Sequence, residues 1–280
     1  MKQHLLSALF LCFFASTSIA QDSQTAKPSG QAGCPDCNQH ADAAGVVAAP
    51  KELSAQVNCP VSGEALEDRN TFFDFEGQRI YTCCKKCLKK ASSTPEKTVL
   101  AMYKDGVQLE NVQTTCPVSG NKLENRNLFV QIYNKRIYVC SDTCKTKAGA
   151  DPAKYLDVLQ GRHPQVKCAV MGGKVRESSP FIVQGVLIKQ CCPGCEPKFR
   201  ADPATHFAKL AKNGAVVEQA STICMVMTDK PTLRTHFVTL GSRRYFFCCE
   251  PCVLSFIENP QSFIDAEIER LKSEASSKKK

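Results

Sequence analysis

Residues 59–87 read CPVSGEALEDRNTFFDFEGQRIYTCCKKC, and the pattern returns three times downstream, from Cys116 (CPVSG…IYVCSDTC), Cys168 (CAVMG…IKQCCPGC) and Cys224 (CMVMT…YFFCCEPC). Each copy has a leading cysteine, then 22 or 23 residues, a cysteine, three residues and a last cysteine. Self-similarity at a fixed period decides the architecture before any single element does. The leading cysteines lie 57, 52 and 56 residues apart, about the length of a minimal domain. A proline follows each last cysteine by eight residues, at Pro95, Pro152, Pro203 and Pro260.

The expected architecture is therefore α+β: four tandem small modules at 57–112, 113–164, 165–220 and 221–274, each a β-hairpin plus short helices. In module one, a tight knuckle at Cys59 to Gly63 leads into Phe72, Phe73 and Phe75. Gly77 turns the chain, and Arg79 to Thr82 returns to Cys83. Two β-prone runs joined at a glycine read as a hairpin. Cys87 falls one helical turn after Cys83, on the same face. Thr94 and Pro95 announce a second helix and Gly106 ends it, with 107–112 as an extended connector.

The later modules repeat this plan, with strands at 127–133 and 136–139, 181–183 and 186–188, and 236–240 and 243–247. Their turns are read at Asn134 and Lys135, at Gly185 and at Gly241. Phe199 and Phe256 follow their last cysteines by four residues and are expected to pack the first helix onto the hairpin. Ala91 and Ala148 stand in their place in modules one and two, so those cores should be thinner and lean on metal or neighbours.

Eighteen cysteines and no tryptophan mark small modules that need a staple, either disulfide or metal. The formal charge of +9 owes part of its size to Lys278, Lys279 and Lys280 in a basic tail at 275–280. No base-stacking pattern of aromatics interleaved with arginine appears, so nucleic acid is set aside.

At the other end, Lys2, the apolar run from Leu5 to Ala15 and the small residues Ser18 and Ala20 read as a cleavable signal peptide at 1–20. The run is too short for a membrane span, although an uncleaved anchor is the alternative. Export, periplasmic or secreted, is the expectation, and there disulfides are a real rival. Residues 21–56 read as a flexible linker holding Cys34 and Cys37, an accessory metal hook, a local disulfide or an idle pair.

Loop, strand end and helix start each deliver one thiol, and soft metals take thiolates converging from a rigid frame. The twelve candidate ligands are Cys59, Cys83 and Cys87; Cys116, Cys140 and Cys144; Cys168, Cys191 and Cys195; and Cys224, Cys248 and Cys252. Three thiolates suit Cu(I), whereas Zn(II) wants a fourth ligand. Cys84, Cys192 and Cys249 are candidates for that place; Ser141 replaces them in module two. Nearby cations (Lys85, Lys86, Lys145, Lys198, Arg243 and Arg244) are expected to favour the thiolates. His163, His206 and His236 hold no common place and read as surface or core histidines.

The modules resemble YHS/TRASH domains, small cysteine-rich units tied to heavy-metal trafficking, resistance and sensing. The residues that carry the likeness are CPVSG at 59–63 and 116–120, KRIYVCSDTCKTKAGADPAKYL at 135–156 and RRYFFCCEPCVLSFIENPQSF at 243–263. The resemblance implies a treble-clef-like hairpin plus helix and a metal-binding role. The knuckles at Cys168 and Cys224 depart from the pattern, and all four lack the second knuckle cysteine of a four-cysteine treble clef.

The function expected is non-enzymatic: buffering, scavenging, sensing or delivery of copper or zinc, with metal ions and a metal-handling protein as partners. A disulfide-stapled structural protein is the second reading. A thiol redox protein, using the vicinal pairs or Cys34 and Cys37, is the third; no general base or nucleophile recurs with the modules.

Overall fold

The computed structural model describes residues 52–277; the segment read as a leader, the Cys34 and Cys37 pair and the lysines at 278–280 lie outside them. Module one contains β1 (Ser54–Ala55), the hairpin β2 (Phe72–Phe75) and β3 (Gln78–Tyr81), helices α1 (Lys85–Ser93) and α2 (Pro95–Lys104), and short strands β4 (Val107–Gln108) and β5 (Glu110–Asn111). Module two has β6 (Phe129–Ile132), β7 (Lys135–Tyr138), α3 (Asp142–Ala150) and α4 (Pro152–Gln160). Strand β8 (His163–Pro164) then precedes β9 (Arg176–Val183), β10 (Val186–Gln190), α5 (Cys195–Ala201), α6 (Pro203–Lys212) and β11 (Ala215–Glu218). Module four is β12 (Leu233–Leu240), β13 (Arg243–Phe247), α7 (Glu250–Glu258) and α8 (Pro260–Ser277). The chain is thus mixed α+β.

Local chemistry sets these boundaries. Pro95, Pro152, Pro203 and Pro260 each open a helix, where the missing N–H goes unmissed. Glu76 and Gly77 turn the first hairpin with φ of 51° and 74°, the signs that a two-residue primed turn requires. In module two the turn falls on Tyr133 and Asn134, so Lys135 is not a turn residue but the buried first residue of β7.

Two boundaries shift. Ser54 and Ala55, read as linker, pair in parallel with β4, and His163 and Pro164, read as the end of module two, pair in parallel with β11. In both places the chain entering a module lies beside the strand that follows its second helix, satisfying backbone groups that a linker would leave to water. The helix expected to stop near residue 275 continues to Ser277.

The modules interlock. Strand β11 pairs with β13, giving modules three and four one four-stranded sheet, β12-β13-β11-β8. Their cores merge as well, with Phe199 and Phe256 packing among Val186, Ile188, Val217, Tyr245 and Phe247. Module two, with Ala148 at the helix position, borrows Phe237 and Phe246 from module four. Module one keeps the smallest cluster, around Ile80, Val99, Met102 and Leu109.

Between modules runs a buried ionic chain. Lys135 Nζ lies 2.7 Å from Glu76 Oε2, and both side chains are at most 1% exposed. Arg162 pairs with Glu76 and, at 2.8 Å, with Asp157. Asp157 in turn takes a two-pronged hydrogen bond from Arg244 at 2.5 and 2.7 Å. Burial works against the Glu76 charge, but Lys135 and Arg162 outweigh it and hold the carboxyl at about 2. No helix among the described residues is long and apolar enough to cross a membrane.

Candidate metal centres

Each leading cysteine begins a tight loop. In module one the Cys59 N–H donates to Glu64 O and the Gly63 N–H to Cys59 O, at 2.8 and 3.0 Å. Gly63 has φ of +78°, a conformation L side chains rarely adopt. The loop turns the N–H groups of Val61 and Ser62 toward Cys59, and the Cys83 N–H arrives from the end of β3. Module three keeps this knuckle despite its altered sequence, because Gly172 retains the positive φ and donates to Cys168 O at 2.8 Å. Module four replaces that glycine with Thr228, and its loop closes farther on, with the Cys224 N–H donating to Lys230 O.

The structure brings the twelve candidate ligands together in four groups of three. Within each group every sulfur lies within 4.8 Å of the others: Cys59, Cys83 and Cys87; Cys116, Cys140 and Cys144; Cys168, Cys191 and Cys195; Cys224, Cys248 and Cys252. The two closing sulfurs are 3.6 Å apart in modules one, three and four and 3.8 Å apart in module two. Three sulfurs about 2.3 Å from one ion sit roughly 4 Å from each other, so the triads need little contraction to close on it. The leading and helical sulfurs are buried, and the strand-end sulfur is the more open one.

The electrostatics explain how a thiolate survives there. Burial raises the Cys59 thiol, but the N–H groups of Cys83, Ser62 and Val61 with the Ser62 hydroxyl overcome it and bring it to about 6. Cys116 reaches about 6 the same way, against burial, through Ser119, Cys140 and Val118. Cys224 falls to about 3, chiefly because the Cys248 and Cys252 thiols hydrogen-bond to it. Burial pushes the helical thiols Cys87 and Cys195 up to about 12. A leading thiol held below its ordinary value beside helical thiols pushed above theirs is the arrangement from which an incoming cation displaces protons.

The expected help from cations is corrected by this arrangement. Lys85, Lys86, Lys145 and Lys198 are exposed, while Arg243 and Arg244 reach Gln184 and Asp157 instead. Backbone N–H groups and neighbouring thiols do the work that the lysines were expected to do.

Cys84, Cys192 and Cys249 stand outside the mutually close sets. They lie beside the closing pair, with Cys192 Sγ 3.4 Å from Cys195 Sγ, and Cys249 Sγ 3.4 Å from Cys252 Sγ and 3.7 Å from Cys248 Sγ. The histidines stay apart from the triads: His163 contacts Asn213 O, His206 stacks on Phe199, and His236 meets Tyr133 edge-on.

A residue that the sequence reading overlooked positions each site. Gln56, 4% exposed, accepts from the Tyr81 N–H at 3.0 Å and donates to Tyr81 O at 2.7 Å and Asn58 O at 3.0 Å. Its amide ties the residue before the leading cysteine to the strand that delivers the closing pair. Gln113 does the same for Thr115 and Tyr138, and Gln165 for Lys167 and Lys189. Gln219 links Ile223 with Phe246 in module four. The signal was a glutamine three residues ahead of the leading cysteine in three copies and five ahead in the fourth.

No family model matches the chain, and it matches no curated protein and no solved structure. The site must be read from its own chemistry.

Proposed function

We propose that this is an exported, non-enzymatic protein that binds soft metal ions at four sites and buffers, scavenges, senses or hands over copper or zinc. The observation that carries the reading is the fourfold convergence of three sulfurs from loop, strand end and helix start. Thiolate donors select soft ions; three of them suit Cu(I) in trigonal coordination, and Cys192 and Cys249, each 3.4 Å from a triad sulfur, stand where a fourth ligand for Zn(II) would come from. The apolar leader supports export, and the resemblance to YHS/TRASH domains with a treble-clef-like module supports metal handling. Nothing that recurs with the modules besides cysteine, glutamine and structural glycine or proline has catalytic chemistry, which supports a carrier or sensor over an enzyme.

Elemental analysis of the exported protein, paired with thiol titration before and after a strong chelator, tests this. Two to four equivalents of copper or zinc are expected, with thiols appearing as metal leaves. A folded, metal-free protein with almost no titratable thiols would instead make it a disulfide-stapled scaffold.

A further inference from the structure

Ser141 lies one step before α3, and its hydroxyl accepts a hydrogen bond from the Cys144 N–H at 3.3 Å. The other three modules put a cysteine at the same step: Cys84, Cys192 and Cys249. Serine is a preferred helix cap, whereas a thiol is a weak acceptor. Cys84 and Cys249 indeed precede α1 and α7 in extended backbone without a side-chain cap hydrogen bond. Two modules therefore carry sulfur where oxygen would serve the helix better, and in the third Cys192 lies in the turn just before α5; the use of that sulfur is found in what it faces.

Cys192 and Cys195 sulfurs are 3.4 Å apart, as are those of Cys249 and Cys252; Cys84 and Cys87 share the spacing of three. In each pair the second cysteine is a buried member of a triad. The first is outside the triad, exposed at Cys84 and Cys192 and half-buried at Cys249. Two cysteines separated by two residues where a helix begins, the first open and the second buried, form a dithiol poised for thiol–disulfide exchange. The first thiol stands outside the three mutually close sulfurs, so it can start that exchange while they hold the ion. In module two the close pair is Cys140 and Cys144 at 3.8 Å, and both belong to the triad.

We propose that Cys84–Cys87, Cys192–Cys195 and Cys249–Cys252 are redox gates on three of the four metal sites, whose closure to disulfides expels the ion, while module two holds its ion through oxidation. The inference rests on the metal-binding reading above. The oxidant is a low-molecular-weight disulfide such as glutathione disulfide. The open thiol loses its proton to solvent and attacks one sulfur of that disulfide, whose S–S bond breaks to give a mixed disulfide and one departing thiolate. The helical cysteine then attacks the mixed disulfide, forms the intramolecular S–S bond, expels the second thiolate and gives up its bond to the metal. Two electrons pass from the protein pair to the external disulfide, which ends as two thiolates. With one ligand of three withdrawn, the ion leaves.

The test uses the full chain, reduced and loaded with Cd(II), a soft ion without redox chemistry of its own. On addition of glutathione disulfide, all but one equivalent should be released to a chromogenic chelator. Peptide mapping should find the three disulfides named, and dithiothreitol should restore binding. In the C84S/C192S/C249S chain the rate of release should fall at least tenfold. Release at the parent rate from that variant, loss of the last equivalent together with the others, or disulfides joining triad members such as Cys83 and Cys87 would overturn the gate. A reduced chain that takes up no Cd(II) overturns the metal-binding reading itself, and the gate with it.

Discussion

Gln113→Met isolates the contribution of the glutamine brace, because it keeps the length and approximate volume of the side chain. It deletes three hydrogen bonds: from Nε2 to Thr115 O at 2.7 Å, from Nε2 to Tyr138 O at 2.5 Å, and from the Tyr138 N–H to Oε1 at 3.0 Å. At about 1 kcal/mol each the loss is roughly 3 kcal/mol, and buried backbone groups left without partners add to it. For a chain of this size that corresponds to a fall in Tm of about 6–12 °C. The brace also fixes Cys116 against Cys140, since Thr115 and Tyr138 stand one and two residues from them. Loss of a positioning contact of this kind lowers metal affinity about 10- to 100-fold. One equivalent, that of module two, should therefore weaken in competition with a chelator while the rest hold. Thermal unfolding of the apo chain, followed by chelator competition, reads both effects. A stability change under about 0.5 kcal/mol with all equivalents unaltered would refute the bracing role.

The ionic chain gives two further expectations. Burial, opposed by Lys135 and reinforced by Glu76, lifts the Glu96 carboxyl to about 7, and neither of its oxygens has a hydrogen bond. The folded state thus keeps a proton that the unfolded state releases near 4.5, and stability should fall as pH rises from about 4.5 to 7. Glu96→Gln should remove that slope, raising Tm at pH 8 and changing little at pH 4; a lower Tm at pH 8 would contradict it. Lys135→Met leaves Glu76 to Arg162 alone and should cost about 3–5 kcal/mol, with the Glu76→Gln, Lys135→Met double variant losing clearly less than the sum. Glu76 contributes stability that is complete above about 4.5 and drains as pH falls toward 2, so the Lys135→Met penalty should shrink in acid. A penalty independent of pH would show that Lys135 acts through packing.

How much of this was legible depended on repetition. The cysteine spacing recurs four times, so the triads could be read directly, and the prolines and turn glycines gave helix starts and hairpins for the same reason. The arrangement of modules rests on contacts that occur once each. Glu76 has no like residue at its place in another copy, and Arg244 shares its step before the strand-end cysteine with Arg79 and Arg136, which bond within their own modules; charged residues are ordinarily taken for surface. Lys135 and Arg244 were accordingly read as a turn residue and as a cation near cysteines. Both instead spend their charge on carboxylates from another module. The glutamines do repeat, but glutamine is a common polar residue, and the shift to five in the fourth copy hid the pattern.

The hairpins explain why sites and scaffold are separable. Every tip packs against another module: Glu76 accepts from Arg162, and its N–H donates to Gln160 Oε1 at 2.5 Å. Asn134 donates to Val99 O at 3.1 Å, Tyr245 to Gln184 O at 3.0 Å and Ser242 to Phe207 O at 3.0 Å. The pairing is reciprocal, one with two and three with four. From the tip at Gly77 the returning strand takes six residues to reach Cys83, about 20 Å at the rise of a strand. Sulfurs therefore gather at the opposite end of each hairpin from its own tip, but the fourth site also borders other modules: Tyr133 packs against the same core as Cys248 and Cys249, and Tyr103 donates to Glu250 at 3.0 Å. A metal arriving at one triad tightens that module's knuckle and helix start, while the ionic chain and shared sheet are already complete without it. The four candidate sites differ in their knuckles, with glycine or threonine at the fourth step and serine or methionine at the third.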